Sequence, residues 1–156
     1  MAPRPIVTPC AAALLALACA CTATAYEPAV NFQLNCMGCH LADGSGQPGR
    51  VPSLRRSLVL FSQLADGRDY VVRVPGVAQS PLSDEATAAL LNWMARNLSD
   101  IEIPKAFVNY SEAEVKALRR HPLAKVRAAR ERLMRQVSDS SPQTSRAHVT
   151  AEAPRT

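Results

Sequence analysis

Five consecutive residues, Cys36-Met37-Gly38-Cys39-His40, constrain this chain more than any other feature. Two cysteines with two residues between them place both sulfurs on one side of a single turn, and the next residue adds an imidazole. Their meaning depends on the other cysteines. Cys10, Cys19 and Cys21 lie in a stretch that reads as a leader: residues 11–21 are wholly apolar, and Ala23 and Ala25 put small side chains where a signal peptidase reads. That run is too short for a membrane span, which needs about 20 residues. Residues 1–25 are therefore read as a secretory signal peptide cut before Tyr26, and the exported chain keeps only Cys36 and Cys39.

In an oxidising compartment two nearby thiols form a disulfide or are committed to other chemistry. A thioredoxin-like pair should follow a strand in a βαβ pattern, which this sequence does not offer. A zinc site needs four ligands, and only Cys36, Cys39, His40, His121 and His148 are available besides carboxylates. The spacing C-x-x-C-H instead fits covalent haem attachment. Both thiols reach the vinyl groups on one porphyrin edge and add across them as thioethers. The adjacent histidine is carried under the ring, where a neutral imidazole binds iron. One haem c is expected, with Cys36 and Cys39 as attachment points and His40 as an axial ligand.

The surrounding pattern is helical. Ala29, Phe32 and Cys36 share one face of a short helix over 28–38, and residues 43–53 are loop by composition. Leu54, Leu58, Phe61 and Leu64 mark a second helix. Asp69 to Val74 fits helix or strand. Ser83 caps the strongest helix, Asp84 to Leu98, which has two acids in its first turn. Further on, Ser111-Glu112-Ala113-Glu114 is a capping box, and Val126, Leu133 and Val137 form a stripe after Pro122. The expected organisation is a signal peptide (1–25), a haem domain (26–103), a basic helical extension (104–137) and a disordered tail (138–156). Charge follows this division. Residues 26–103 carry 6 basic and 8 acidic side chains, net −2, and residues 104–156 carry 11 and 5, net +6. For an exported protein, nucleic acid is not a partner for this positive charge.

The chain resembles the class I c-type cytochromes over about residues 28–98. Phe32 stands four residues before the first cysteine, as the first-helix aromatic of that family does. His40-Leu41-Ala42-Asp43-Gly44-Ser45-Gly46 is similar to the loop after the histidine, and the helix bearing Trp93 is similar to the terminal helix that packs on the first. The resemblance implies an all-α fold, a small class I haem domain with a helical C-terminal extension. It also implies that the Pro52 carbonyl accepts a hydrogen bond from the second ring nitrogen of His40. One departure stands out. The family places a methionine ligand in the loop before the terminal helix, and here that stretch reads Arg73-Val74-Pro75-Gly76-Val77. The sixth iron ligand is left unassigned. Met94, read first as core packing, and His121 are the candidates.

The function expected is that of a periplasmic mono-haem electron carrier, not an enzyme, working between a dehydrogenase and a respiratory acceptor. The alternative is a small-ligand-binding or peroxidase-like haem protein with an open or non-Met sixth position. Expected partners are redox proteins, with an acidic protein or an anionic membrane surface meeting the basic extension.

Overall fold

A computed structural model describes residues 26–140, so the expected signal peptide and residues 141–156 of the expected tail lie outside the described residues. Seven helices follow in order: α1 (Pro28–Asn35), α2 (Ser57–Ser62), α3 (Ala65–Arg73), α4 (Pro75–Ala78), α5 (Asp84–Asn97), α6 (Glu112–Leu118) and α7 (Val126–Ser140). Among the described residues there is no strand; a single bridge joins Gln47 to Val51. The all-α class expected from the sequence is the one observed.

Local chemistry explains the element ends. Pro28 starts α1, where its missing N–H costs nothing. Ser83 Oγ accepts from the Ala86 N–H at 3.0 Å and caps α5. The ambiguous segment 69–74 is helical, as part of α3, with Tyr70, Val71 and Val72 buried. These consecutive residues spread around the helix and are buried on more than one side, and tertiary burial outweighs their strand propensity. Pro75 stops α3 at Arg73 and opens α4. Ser111 Oγ accepts from the Glu114 N–H at 3.2 Å, which is half of a capping box. The return bond is absent because Glu114 grips Arg68 instead, at 2.8 and 2.7 Å.

One core runs through the whole described chain. Phe32 on α1, Phe61 on α2, Val72 on α3 and Leu91 on α5 are almost fully buried, and so are Val115 on α6 and Leu133 on α7. All belong to a single hydrophobic cluster. Phe32 meets Trp93 with ring centroids 5.8 Å apart, bringing the first and terminal helices of the haem domain together. Gly67 fits where α2 turns into α3; a methyl there would collide with the Phe61 carbonyl.

The extension is sewn onto this core. Tyr110 is buried, its hydroxyl 2.7 Å from Ser62 Oγ, and its backbone is held at both ends by Asn92. Arg73 Nε donates to the His121 carbonyl, and the Leu123 N–H donates to the Arg73 carbonyl. Residues 104–140 thus pack as part of the core of residues 26–103. Ser138 to Ser140 are helical, ending α7, and not the start of a disordered tail as composition suggested.

Candidate functional site

The motif begins where α1 ends. The Cys36 N–H still donates to the Phe32 carbonyl, and both the Cys39 and His40 N–H groups donate back to the Cys36 carbonyl, at 3.1 and 3.0 Å. This turn sets both sulfurs and the imidazole at the mouth of one cleft. Both cysteines are free thiols, Cys36 half-buried and Cys39 exposed. Burial pushes the Cys36 thiol up to about 11, so the sulfur stays neutral. Burial also lowers the pKa of His40, which keeps its imidazole neutral and a nitrogen lone pair free.

The cleft has two adjoining lobes, of about 210 and 370 Å³. Both are lined by Cys39, His40, Leu54, Val74, Gly76, Val77, Leu91 and Met94. The smaller lobe adds Cys36, Gly38 and Thr87, and the larger adds Phe61, Tyr70, Val126, Arg50 and Arg130. Such volumes and an apolar lining suit a bound cofactor. The lining also crosses the expected domain boundary, because Val126 and Arg130 come from α7.

His40 Nδ1 is buried without a hydrogen-bond partner. The bond expected from this ring to the Pro52 carbonyl is therefore not made through Nδ1, although Pro52 lines the same cleft. The loop that presents Pro52 is tightly built. Gln47 and Val51 exchange backbone hydrogen bonds of 2.8 Å, and Gly46 lies against them. A methyl on Gly46 would collide with the Val51 carbonyl and sit 2.8 Å from that of Pro52, so only glycine fits.

Of the two candidates for the sixth ligand, Met94 is buried and lines both lobes. His121 is exposed, lies outside the cleft lining, and offers its backbone carbonyl to Arg73. The turn after α6 that carries it is bonded to Arg73 of α3 on either side of Pro122. The loop expected to bear a methionine supplies only Val74, Pro75, Gly76, Val77 and Ser80 to the cleft. Sequence reasoning missed Arg50, Tyr70 and Arg130 as cleft residues. Tyr70 was hidden by the helix–strand ambiguity and Arg130 by its place in a basic run.

Among the described residues no group of three or more His, Cys, Asp or Glu side chains converges. A metal held by His40 must then arrive with its own donors, as iron in a porphyrin does. Comparison with known proteins decides the matter. The chain is 32% identical over 128 residues to a cytochrome c-552 of Thermus thermophilus, covering 70% of this chain and 86% of that one. A second cytochrome c-552 from the same species is 31% identical over 115 residues, covering 62% of this chain and 88% of the relative.

The chain belongs to the c-type cytochromes.

Its cofactor is covalently bound haem c, and it is an electron carrier of that family. No family model and no solved structure matches it. The residues of the cleft fit the group: two cysteine sulfurs outside any disulfide at its mouth, an imidazole with a buried, unpartnered nitrogen, and apolar walls. Among the described residues of this cytochrome, no helix is long and apolar enough to cross a membrane.

Proposed function

We propose that this cytochrome is exported to the periplasm and carries single electrons between a dehydrogenase and a respiratory acceptor through one haem. The observation that carries this reading is an apolar cleft with the C-x-x-C-H turn at its mouth and the His40 imidazole inside. When bound, haem supplies a one-electron couple at iron. Cys36 and Cys39 would hold it as thioethers, and His40 would offer an imidazole nitrogen to its iron. Pro52, in the same cleft wall, would accept a bond from the second ring nitrogen if holding the cofactor turned the ring toward it. Leu54, Val74, Leu91 and Met94 exclude water from the porphyrin faces, which limits the solvent reorganisation that accompanies electron transfer. The net +6 of residues 104–156 supports docking to an acidic redox protein or an anionic membrane surface.

The test is spectroscopic and electrochemical. The mature protein should keep its haem through acid–acetone extraction, show a pyridine haemochrome with two thioethers, and give a reversible one-electron wave. Haem that extracts freely would overturn the reading.

A second reading, a binder of small haem ligands, is favoured by one observation. Segment 74–77, where the family carries a methionine, brings no donor side chain to the cleft. Ferrous protein that takes up carbon monoxide stoichiometrically at neutral pH would select this reading; ferrous protein whose spectrum carbon monoxide leaves unchanged would select the carrier.

A further inference from the structure

Segment 74–77 is held at both ends by the extension. On its N-terminal side Arg73 Nε donates to the His121 carbonyl at 2.7 Å, and the Leu123 N–H donates to the Arg73 carbonyl at 2.8 Å. On its C-terminal side the guanidinium of Arg119 donates to the carbonyls of Ala78, Ser80 and Leu82. Residues 119–123 thus bracket residues 74–77. Inside the bracket the Val77 and Ala78 N–H groups both donate to the Val74 carbonyl at 2.9 Å, which closes the short α4 on itself.

What the bracket holds is a wall of the cleft. Val74, Gly76 and Val77 line both lobes, as His40 does, and Pro75 lines the larger one. Iron bound to His40, and any ligand on its free side, would share the cleft with these residues. The wall is hydrocarbon, which offers no partner to a charged ligand. It also has a notch: a methyl built on Gly76 meets no atom within 4 Å, so the space between the two valines is open.

We propose that this notched wall is the site of a small, neutral haem ligand, and that Arg119 and Arg73 are positioning residues that set how large a ligand is admitted. This rests on the ligand-binding reading above. A diatomic ligand fits beside a fixed wall. A bulkier one enters only when the wall opens locally, and local opening requires the bonds of the bracket to break first.

The test compares carbon monoxide with tert-butyl isocyanide, two neutral carbon donors to ferrous iron that differ in bulk. Association rates are measured by stopped flow on the purified holoprotein. Wild type should admit carbon monoxide and hold back the isocyanide. Arg119→Ala should raise the isocyanide rate by about five- to thirtyfold, the factor by which losing a few weak bonds shifts an opening equilibrium, and should leave the carbon monoxide rate within about twofold. Arg119→Lys should recover part of the discrimination, because a lysine cannot reach several carbonyls with one fork. Arg73→Ala should raise the isocyanide rate by a smaller factor. Gly76→Val fills the notch and should slow both ligands. Asn92→Ala is the control: it frees the extension at Tyr110, whose N–H and carbonyl Asn92 holds, but leaves the bracket intact and lies outside the cleft lining. It should match wild type. An isocyanide rate unchanged in Arg119→Ala, an equal rise in Asn92→Ala, or unslowed binding in Gly76→Val would each overturn the proposal. If Arg119→Ala does not fold, Arg73→Ala decides. Wild-type ferrous protein that carbon monoxide leaves unchanged would instead sink the ligand-binding reading and the gate with it, and this separates the two failures.

Discussion

Arg119 is the side chain through which the extension grips the haem domain, and its loss should be costly. It donates to the carbonyls of Ala78, Ser80 and Leu82 at 3.2, 2.6 and 2.8 Å, and reaches Asp84 Oδ1 at 3.1 Å. Its side chain is only 15% exposed and that of Asp84 26%. These bonds tie segment 78–84 between α4, a wall of the cleft, and the cap of α5. Charge-assisted hydrogen bonds of this kind contribute about 1.5–3 kcal/mol each when buried. Water can reach parts of this segment after truncation, so the four do not add. Arg119→Ala should cost about 2–4 kcal/mol, a large part of the roughly 5–15 kcal/mol available to a domain. With a urea slope of ~2 kcal/mol per M, the midpoint should fall by ~1–2 M. Arg119→Lys keeps the charge but not the fork, and should recover less than half. Urea unfolding followed by far-UV circular dichroism measures both. A loss below ~0.5 kcal/mol in Arg119→Ala would show that the carbonyls are as well served by water and that this account of the grip is wrong.

Other outcomes follow from the same geometry. Leu133→Ala, at a side chain 1% exposed, should cost ~2–5 kcal/mol in thermal unfolding, and a chain ending at Ile103 should lose more, because it also removes Tyr110 and Val115 from the core. Gly46→Ala should displace the Val51–Pro52 segment and change the visible spectrum of the holoprotein while both thioethers remain. Burial raises the Tyr110 hydroxyl from 10.0 to about 12, against smaller opposing effects of Ser62 and Arg68. A raised folded value means that the stability is fully present below pH 10 and is lost as pH rises from about 10 to about 12, by up to ~2–3 kcal/mol. Tyr110→Phe should flatten that alkaline loss in urea titrations spanning this window. His121→Ala should leave the ferric spectrum unchanged, since its side chain lies outside the cleft; a change in spin state would place it on the iron after all.

Much of the site was legible because its chemistry is local in sequence. Cys36, Cys39 and His40 occupy one turn, so spacing alone puts them together, and Phe32 reaches Trp93 through two helices whose apolar faces are plain in the sequence. Segment 69–74 was not legible, because β-branched residues with a tyrosine suit either a strand or a buried helix face, and only burial of Tyr70, Val71 and Val72 decides. The address of the extension was also hidden. Its period announces helices with one apolar stripe, but a stripe does not say what it covers. The address is written in long-range polar contacts: Arg68 to Glu114 across 46 residues, Arg119 to Asp84 across 35, and Tyr110 to Ser62 across 48. None has a sequence signature: Arg119 looks like any other member of a basic run, Arg68 like an ordinary surface charge among acids, and nothing in Ser62 or Tyr110 names its partner.

These contacts change what the basic run means. A tethered polycation would attract an acidic partner from any direction. Here α7 lies along the cleft, with Val126 and Arg130 in its wall, so its charges are held at a fixed place relative to the cofactor site. Two kinds of arginine then share one helix. Arg130 lines both the cleft and the outer groove between α7 and residues 45–53, while Arg127 and Arg135 line only that groove. Inward charge acts on the potential and resists salt, whereas outward charge acts on encounter rates and fades with salt. Replacing Arg127 and Arg135 together should therefore slow reduction by an anionic donor at low ionic strength, with the gap to wild type closing at high salt, and should leave the potential where it was. Stopped-flow reduction by ferrocyanide or an acidic flavodoxin-type donor, alongside redox titration, separates the two. A shifted potential would mean that the outer face also reads onto the iron, and the division of labour along α7 would be wrong.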